Sequence, residues 1–305
     1  MTAQHRPVVI GVDGSSGNHA ALRYGLAEAR RLDASVRLVH VAPDYVPISP
    51  MMPLTPGDLA ETGTAILKAA RAAAHDLAPD IQVEGWLHHG ARGAELARAA
   101  EHADLLVVGR DDRPLLERLV LGNTATGAAA RSAVPSVTVP ADWQPTAHGV
   151  VLVGVKSSSH SDALLGDAFA VAADHGSKLV VLHAWSLPSE YDDIIQGRGA
   201  AGEWAARSTR ELETMLREWR AAYPAVEVEV RVVHDYPVHA LVAASEDADV
   251  LVLVRRAHGV PTAAHLGGTA RSVLRWAHCP VRVVPPQAGD RVPGLVFERA
   301  GGILK

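Results

Sequence analysis

Val8-Val9-Ile10-Gly11-Val12-Asp13-Gly14-Ser15, near the start of the chain, returns as Val151-Leu152-Val153-Gly154-Val155-Lys156-Ser157-Ser158. Each is a short apolar, β-branched run that stops at glycine and polar residues, the pattern of a buried strand entering a turn. Three further runs recur in the same order. Val36-Arg37-Leu38-Val39-His40-Val41 matches Leu179-Val180-Val181-Leu182-His183-Ala184, and Asp104-Leu105-Leu106-Val107-Val108-Gly109 matches Asp249-Val250-Leu251-Val252-Leu253-Val254. Val134-Pro135-Ser136-Val137-Thr138-Val139 matches Cys279-Pro280-Val281-Arg282-Val283-Val284. The offset stays at roughly 145 residues, one ordinary domain length. A single apolar run matches by chance; four in register, with a histidine, an aspartate and a proline kept, imply a duplicated unit.

Between the apolar runs lie Ala-, Leu- and Arg-rich stretches with helical spacing. The spacing predicts helices over Asn18–Leu32, Gly57–Leu77, Ala91–His102 and Asn123–Ser132, then over Ser159–His175, Gly202–Tyr223, Pro237–Glu246 and Gly268–Trp276. Strand-helix alternation with short connections means parallel sheets covered on both faces. The expected fold is α/β: two tandem Rossmann-like domains of the adenine nucleotide α-hydrolase-like kind, each a five-stranded parallel sheet of order 3-2-1-4-5. The expected boundaries are 1–142 and 149–286, bridged by Ala141–Gly149, with a tail at 287–305. Pro43–Pro56 and Ser186–Gly199 follow the second strand of each unit and are irregular; they read either as lids over a crevice or as variable surface loops. The last strands, Ser136–Val139 and Val281–Val284, would be edges, which ask to be paired or covered.

Composition narrows the function classes. The chain is 48% hydrophobic and 21% charged, with aromatics at 4%, as expected of a folded core built from small and branched side chains. A net charge of −5 and no dense Lys/Arg run argue against nucleic-acid binding. The one cysteine, Cys279, cannot form an internal disulfide and suits a reducing compartment. No stretch has the apolar length of a signal peptide or a membrane span. A cytoplasmic protein without membrane contact is expected.

In an open parallel sheet the ligand crevice lies where neighbouring connections leave to opposite sides, here between strands 1 and 4. Its walls would be Gly11-Val12-Asp13 and Val108-Gly109, and its floor the amino end of the last helix after Gly122-Asn123-Thr124. Free N–H groups and the helix dipole favour phosphate there. Asp13 either accepts hydrogen bonds from a ribose or base or caps its own turn; Asn123 and Thr124 either donate to phosphate or cap their helix.

Gly11-Val12-Asp13-Gly14-Ser15, His40-Val41, Asp104–Gly109 and Pro135-Ser136-Val137-Thr138-Val139 together resemble universal stress protein domains, over nearly all of residues 7–285. The resemblance implies an adenine nucleotide, ATP with Mg²⁺ included, held by Gly11, Val12, Asp13, Val41 and a Gly-x2-Gly-x9-Gly-(Ser/Thr) segment. Here that segment begins at Gly109, carries Asp112 at its second glycine, and continues with Gly122, Asn123 and Thr124. A carboxylate at 112 repels phosphate unless a metal or an arginine intervenes. In the second unit the slots hold Val254, Ala257, Gly267 and Gly268, and Lys156, which has no acceptor for a ribose hydroxyl, replaces the acid. The resemblance further implies a homo-oligomer or internal pseudo-dimer and supplies no general hydrolytic mechanism. Three functions stay open: a stress-response regulator that holds a nucleotide in its first unit, a non-nucleotide protein that recruits an unknown protein partner, and a weak nucleotide hydrolase.

Other constellations are poorer. Gly11, Gly14 and Gly17 mimic a dinucleotide fingerprint, yet the spacing is wrong and His40-Val41 stands where an acid is needed. His88 and His89 are adjacent, so on a strand they face opposite sides and do not share a metal. The repeated His40 and His183 suggest a structural role at a strand end. No nucleophile elbow is present, and Cys279 reads as packing.

Overall fold

The computed structural model describes residues 6–15, 17–44, 56–110, 124–145, 147–156, 162–186, 200–255 and 266–286. The first half runs β1 (Val8–Gly11), α1 (Gly17–Arg31), β2 (Val36–Ala42), α2 (Pro56–Leu77), β3 (Val83–His89), α3 (Arg92–Ala99), β4 (Leu105–Gly109), α4 (Thr124–Arg131), β5 (Ser136–Val139). The second runs β6 (Val150–Gly154), α5 (Asp162–His175), β7 (Lys178–Trp185), α6 (Ala200–Ala222), β8 (Val228–His234), α7 (Pro237–Ala244), a 3₁₀ turn at Ser245–Asp247, β9 (Val250–Val254), α8 (Gly268–Trp276), β10 (Val281–Val284). The helices predicted from spacing are present, shifted by a few residues at their ends. Most of both irregular loops and all of the 287–305 tail lie outside the described residues.

All ten strands form one sheet of order β3-β2-β1-β4-β5-β10-β9-β6-β7-β8. Every neighbour pair within a half is parallel. The halves meet through β5 and β10, which run antiparallel with Arg282 opposite Val137. Each terminal strand thus satisfies the backbone edge of the other, and two five-stranded sheets become continuous. The central strands are buried on both faces: Val8, Val9 and Ile10 of β1 have no exposed surface, nor do Leu105, Leu106 and Val107 of β4. Each such side chain contributes roughly 1.5–3 kcal/mol on burial. Alternate residues serve different layers. Val8, Ile10 and Leu38 pack with α1 and α2, while Val9, Val39 and Leu106 pack with α3 and α4.

The residues repeated between the halves have structural assignments. The Asp104 carboxylate accepts the Arg6 backbone N–H at 3.0 Å, and Asp249 accepts those of His148 and Val150, so each aspartate fastens the start of its half's first strand. Pro135 and Pro280, just ahead of β5 and β10, give up no ladder donor there; their carbonyls accept the Leu106 and Leu251 N–H groups. Between the halves, Trp143 packs edge-on against Tyr24, and its carbonyl accepts from Arg23.

The junction carries buried charge. Arg282 of β10 makes two hydrogen bonds, at 2.6 and 2.7 Å, to Asp167 of α5. Burial opposes its charge, but Asp167 outweighs burial and holds the guanidinium above its ordinary pKa. Glu28 of α1, 5% exposed, meets Arg31 of its own helix and reaches His175 of the second half at 3.2 Å. Burial pushes its carboxyl up; His175 and Arg31 more than reverse this and hold it below its ordinary value.

Two outcomes are expected. Asp167→Ala strands the buried Arg282 charge and lowers unfolding free energy by about 3–5 kcal/mol in urea titrations, whereas Asp167→Leu combined with Arg282→Met recovers most of the loss. Glu28 titrates near 4.5 in the unfolded chain and lower in the fold. Its contribution is therefore complete above that value and disappears as pH falls through the folded value. The stability gap between wild type and Glu28→Gln, followed from about pH 7 to about pH 3, should hold steady and then close.

Candidate functional site

The first turn of the site is built by Asp13. Its Oδ1 accepts the Ser15 N–H at 3.0 Å and the Ser15 hydroxyl at 2.6 Å, and Gly14 takes a left-handed φ of +78°. This Asx-type turn redirects the chain from β1 into α1. Asp13 therefore does cap its turn, while its exposed carboxylate keeps acceptor capacity beyond those two bonds. The Asn18 N–H bonds to the Ser15 carbonyl, seating the start of α1 beside β4. The approach is so close that a Cβ on Gly109 would stand 2.8 Å from the Gly17 carbonyl oxygen. Helix packing by itself thus demands glycine at 109.

A cleft of about 250 Å³ opens where the carboxyl ends of β1, β2 and β4 diverge. Of the residues singled out from sequence, Gly11, Val12, Asp13, Val41, Gly109 and Thr124 line it. Asp112, Gly122 and Asn123 lie outside the described residues. Thr124 is the first residue of α4, so that helix points its amino end at the cleft. The wall also contains residues the sequence reading passed over: Arg92 and Leu96 of α3, Asn18 of α1, and Arg110 directly after β4. Arg92 sits in the first turn of α3, where the dipole disfavours a cation. Arg110 has a counterpart, Arg255, in the second half; that repetition and the misplaced Arg92 charge were the available signals.

Arg110 Nη1 donates to the Ala277 carbonyl at 2.6 Å, and Arg255 Nη1 donates to the Ala129 carbonyl at 3.1 Å. Each arginine crosses the junction to the far half, so the cleft wall and the junction share a side chain. Among the described lining residues Arg92 and Arg110 supply two positive charges and Asp13 one negative, a balance that suits an anion.

His40 also lines the cleft, and its Nδ1 lies 2.7 Å from the Val12 carbonyl oxygen; His183 repeats this to Val155 at 3.1 Å. Nδ1–H donates, tying the second strand to the end of the first, which is the strand-end role the repetition suggested. Burial chiefly, with the charge of Arg92, lowers the His40 pKa, while its bond to Val12 opposes the shift. Cys279 is buried, and its thiol is pushed up to about 12 by that burial, so it is no nucleophile. Among the described residues no cluster of three or more His, Cys, Asp or Glu is placed to hold a metal. Nor is any helix among them long and apolar enough to cross a membrane.

The second half differs at the matching positions. Lys156 stands for Asp13, Pro237 for Arg92 and Val254 for Gly109. Leu253 replaces Val108 and adds to the crowding of the first strand's glycine: a Cβ at Gly154 would lie 2.8 Å from a Leu253 methyl and 2.9 Å from Leu241, where one at Gly11 would lie 3.1 Å from Leu96.

The sequence model of the Universal stress protein family matches residues 4–140 and again 148–285. A universal stress protein of Mycolicibacterium smegmatis is 29% identical over 297 residues, covering 94% of this chain and 99% of that protein. One from Mycobacterium tuberculosis is 30% identical over 285 residues, covering 90% and 96%. Among solved structures, a universal stress protein from Archaeoglobus fulgidus DSM 4304 aligns with a TM-score of 0.71 at 20% identity, over 94% of this chain and 98% of that one.

The site's geometry sets one titration. His40 is expected to remain neutral below its ordinary 6.5, so an NMR pH titration of its ring should show a midpoint under that value. The stability it confers is present above 6.5 and erodes as pH falls below it, because the folded state resists charging the ring.

Proposed function

The chain belongs to the universal stress protein family, and from that premise we propose that its first half binds an adenine nucleotide, ATP or a relative, in a regulatory stress-response role rather than a catalytic one. The observation that carries the reading is the asymmetry of the two crevices. The first has an acceptor at Asp13, cations at Arg92 and Arg110, and the amino end of α4 facing one cleft; the second has Lys156, Pro237 and Val254 in place of Asp13, Arg92 and Gly109. Asp13 would accept a ribose hydroxyl. Arg92, Arg110 and the Thr124 end of α4 would meet phosphate, and the two arginines offset the repulsion expected from Asp112. Asp13 is the only carboxylate among the described lining residues. Mg²⁺ would therefore arrive on the phosphates rather than in a protein cage. The cleft contains neither an activated nucleophile nor a perturbed acid–base pair among its described residues, which favours binding over turnover.

Because β5 and β10 already close each other's edge, association with further copies would use another surface. The fold and the family are consistent with a cytoplasmic protein that contacts neither nucleic acid nor membrane.

Isothermal titration calorimetry with ATP tests the proposal. One site per chain is expected. Asp13→Ala and Arg92→Ala should each weaken binding by about tenfold, with Arg92→Ala affecting ATP more than adenosine. Absence of saturable binding at millimolar ATP would transfer the function to protein recruitment alone.

A further inference from the structure

The outer edge of β3 is one of the two ends of the ten-stranded sheet; β8 is the other. The duplication makes each a control for the other. Val83 and Val228 occupy the same register position, opposite Val36 and Leu179. The second edge is filled and neutralised. Leu216 of α6 is fully buried, Glu213 pairs with Arg220 at 2.6 Å, and Arg220 also donates to the Val228 carbonyl of the edge strand.

At the matching places in the first half, Arg71 replaces Leu216, Lys68 replaces Glu213, and Gly85 replaces Val230. The result is an open groove of about 680 Å³ between α2 and β3, lined by Lys68, Arg71 and His75 along one helix face and by Gly85 below. None of the three basic residues has an ion-pair partner among the described residues. On the other face of β3, Trp86 is 42% exposed, with the Arg37 guanidinium 3.9 Å from its ring centroid.

We propose that this edge is a docking surface for a partner protein, which adds an extended acidic segment as a further strand beside β3. Backbone hydrogen bonds to the outer edge of β3 would supply affinity. Strand alternation would supply selectivity: every second residue of the segment faces the Lys68, Arg71 and His75 row and is best acidic, and the residues between face Trp86 and are best apolar. Two cations, Lys68 and Arg71, over a sheet edge disfavour a basic strand and fit an acidic one, with His75 as a further polar partner beside them. Where the other half has valine, Gly85 carries no side chain and the Arg71 stem lies over it, its Cδ 3.2 Å from where a Cβ would stand.

The test uses the full chain and a fluorescein-labelled peptide of about eight residues alternating glutamate and valine, with a lysine–valine peptide as control. Fluorescence anisotropy should show saturable binding of the acidic peptide alone, weakened about tenfold or more by Lys68→Glu combined with Arg71→Glu. Gly85→Val, which needs only a small shift of the Arg71 chain, should also block it. Hydrogen exchange should slow across Val83–His89 and not across Val228–His234 when the peptide is bound. The proposal is overturned if neither peptide binds, if binding ignores both sets of substitutions, or if protection appears elsewhere. It is also overturned if sedimentation shows a second copy of the chain already paired on this edge.

Discussion

An open parallel sheet cannot end without leaving a row of unpaired N–H and C=O groups, and the pairing of β5 with β10 is how this chain resolves that constraint at its centre. Each half would otherwise leave open the outer backbone edge of an apolar terminal strand, in which Val137, Val139, Val281 and Val283 are all buried. The antiparallel contact also fixes where everything else lies. It brings Glu28 to His175 and lets Arg110 and Arg255 each cross to a carbonyl of the opposite half, beside the Arg282–Asp167 pair that the second half makes within itself. Buried ions are expensive to leave alone, so these pairs tie the junction to one geometry.

Within that shared frame the two halves have diverged in opposite ways at two places. At the crevice the first half is mixed in charge, while the second has Lys156, Pro237 and Val254 where the first has Asp13, Arg92 and Gly109. At the outer sheet edge the first half is open and cationic, while the second is packed with Leu216 and closed by an internal ion pair. Both proposed recognition surfaces therefore fall on the first half.

The residues repeated most faithfully turn out to hold the fold. Asp104 and Asp249 fasten strand starts, Pro135 and Pro280 open the last strands, and His40 and His183 link strand 2 to strand 1. These contacts are local to one βαβ neighbourhood, so a residue and its repeat report the same backbone need. The candidate site is legible only in part for the opposite reason. Asp13, Val41 and Gly109 end strands, and strand ends can be read from apolar periodicity. Arg92 lies on a helix, and Arg110 beyond a strand terminus, and neither position says which cleft it faces. Gly109 carries two requirements at once, since the Gly17 carbonyl forbids a side chain there whatever the cleft binds.

By itself the sequence determined the duplication, the strand and helix order, the parallel sheets and the loss of the acid at Lys156, because periodicity and repeat spacing are one-dimensional properties of the chain. Tertiary structure alone decided that β5 and β10 fuse two sheets into one, that Arg110 and Arg92 line one cleft with Asp13, and that Lys68, Arg71 and His75 line a groove beside the end strand of the sheet. Those facts depend on distances between residues far apart in the chain, and such distances exist only once the halves have packed.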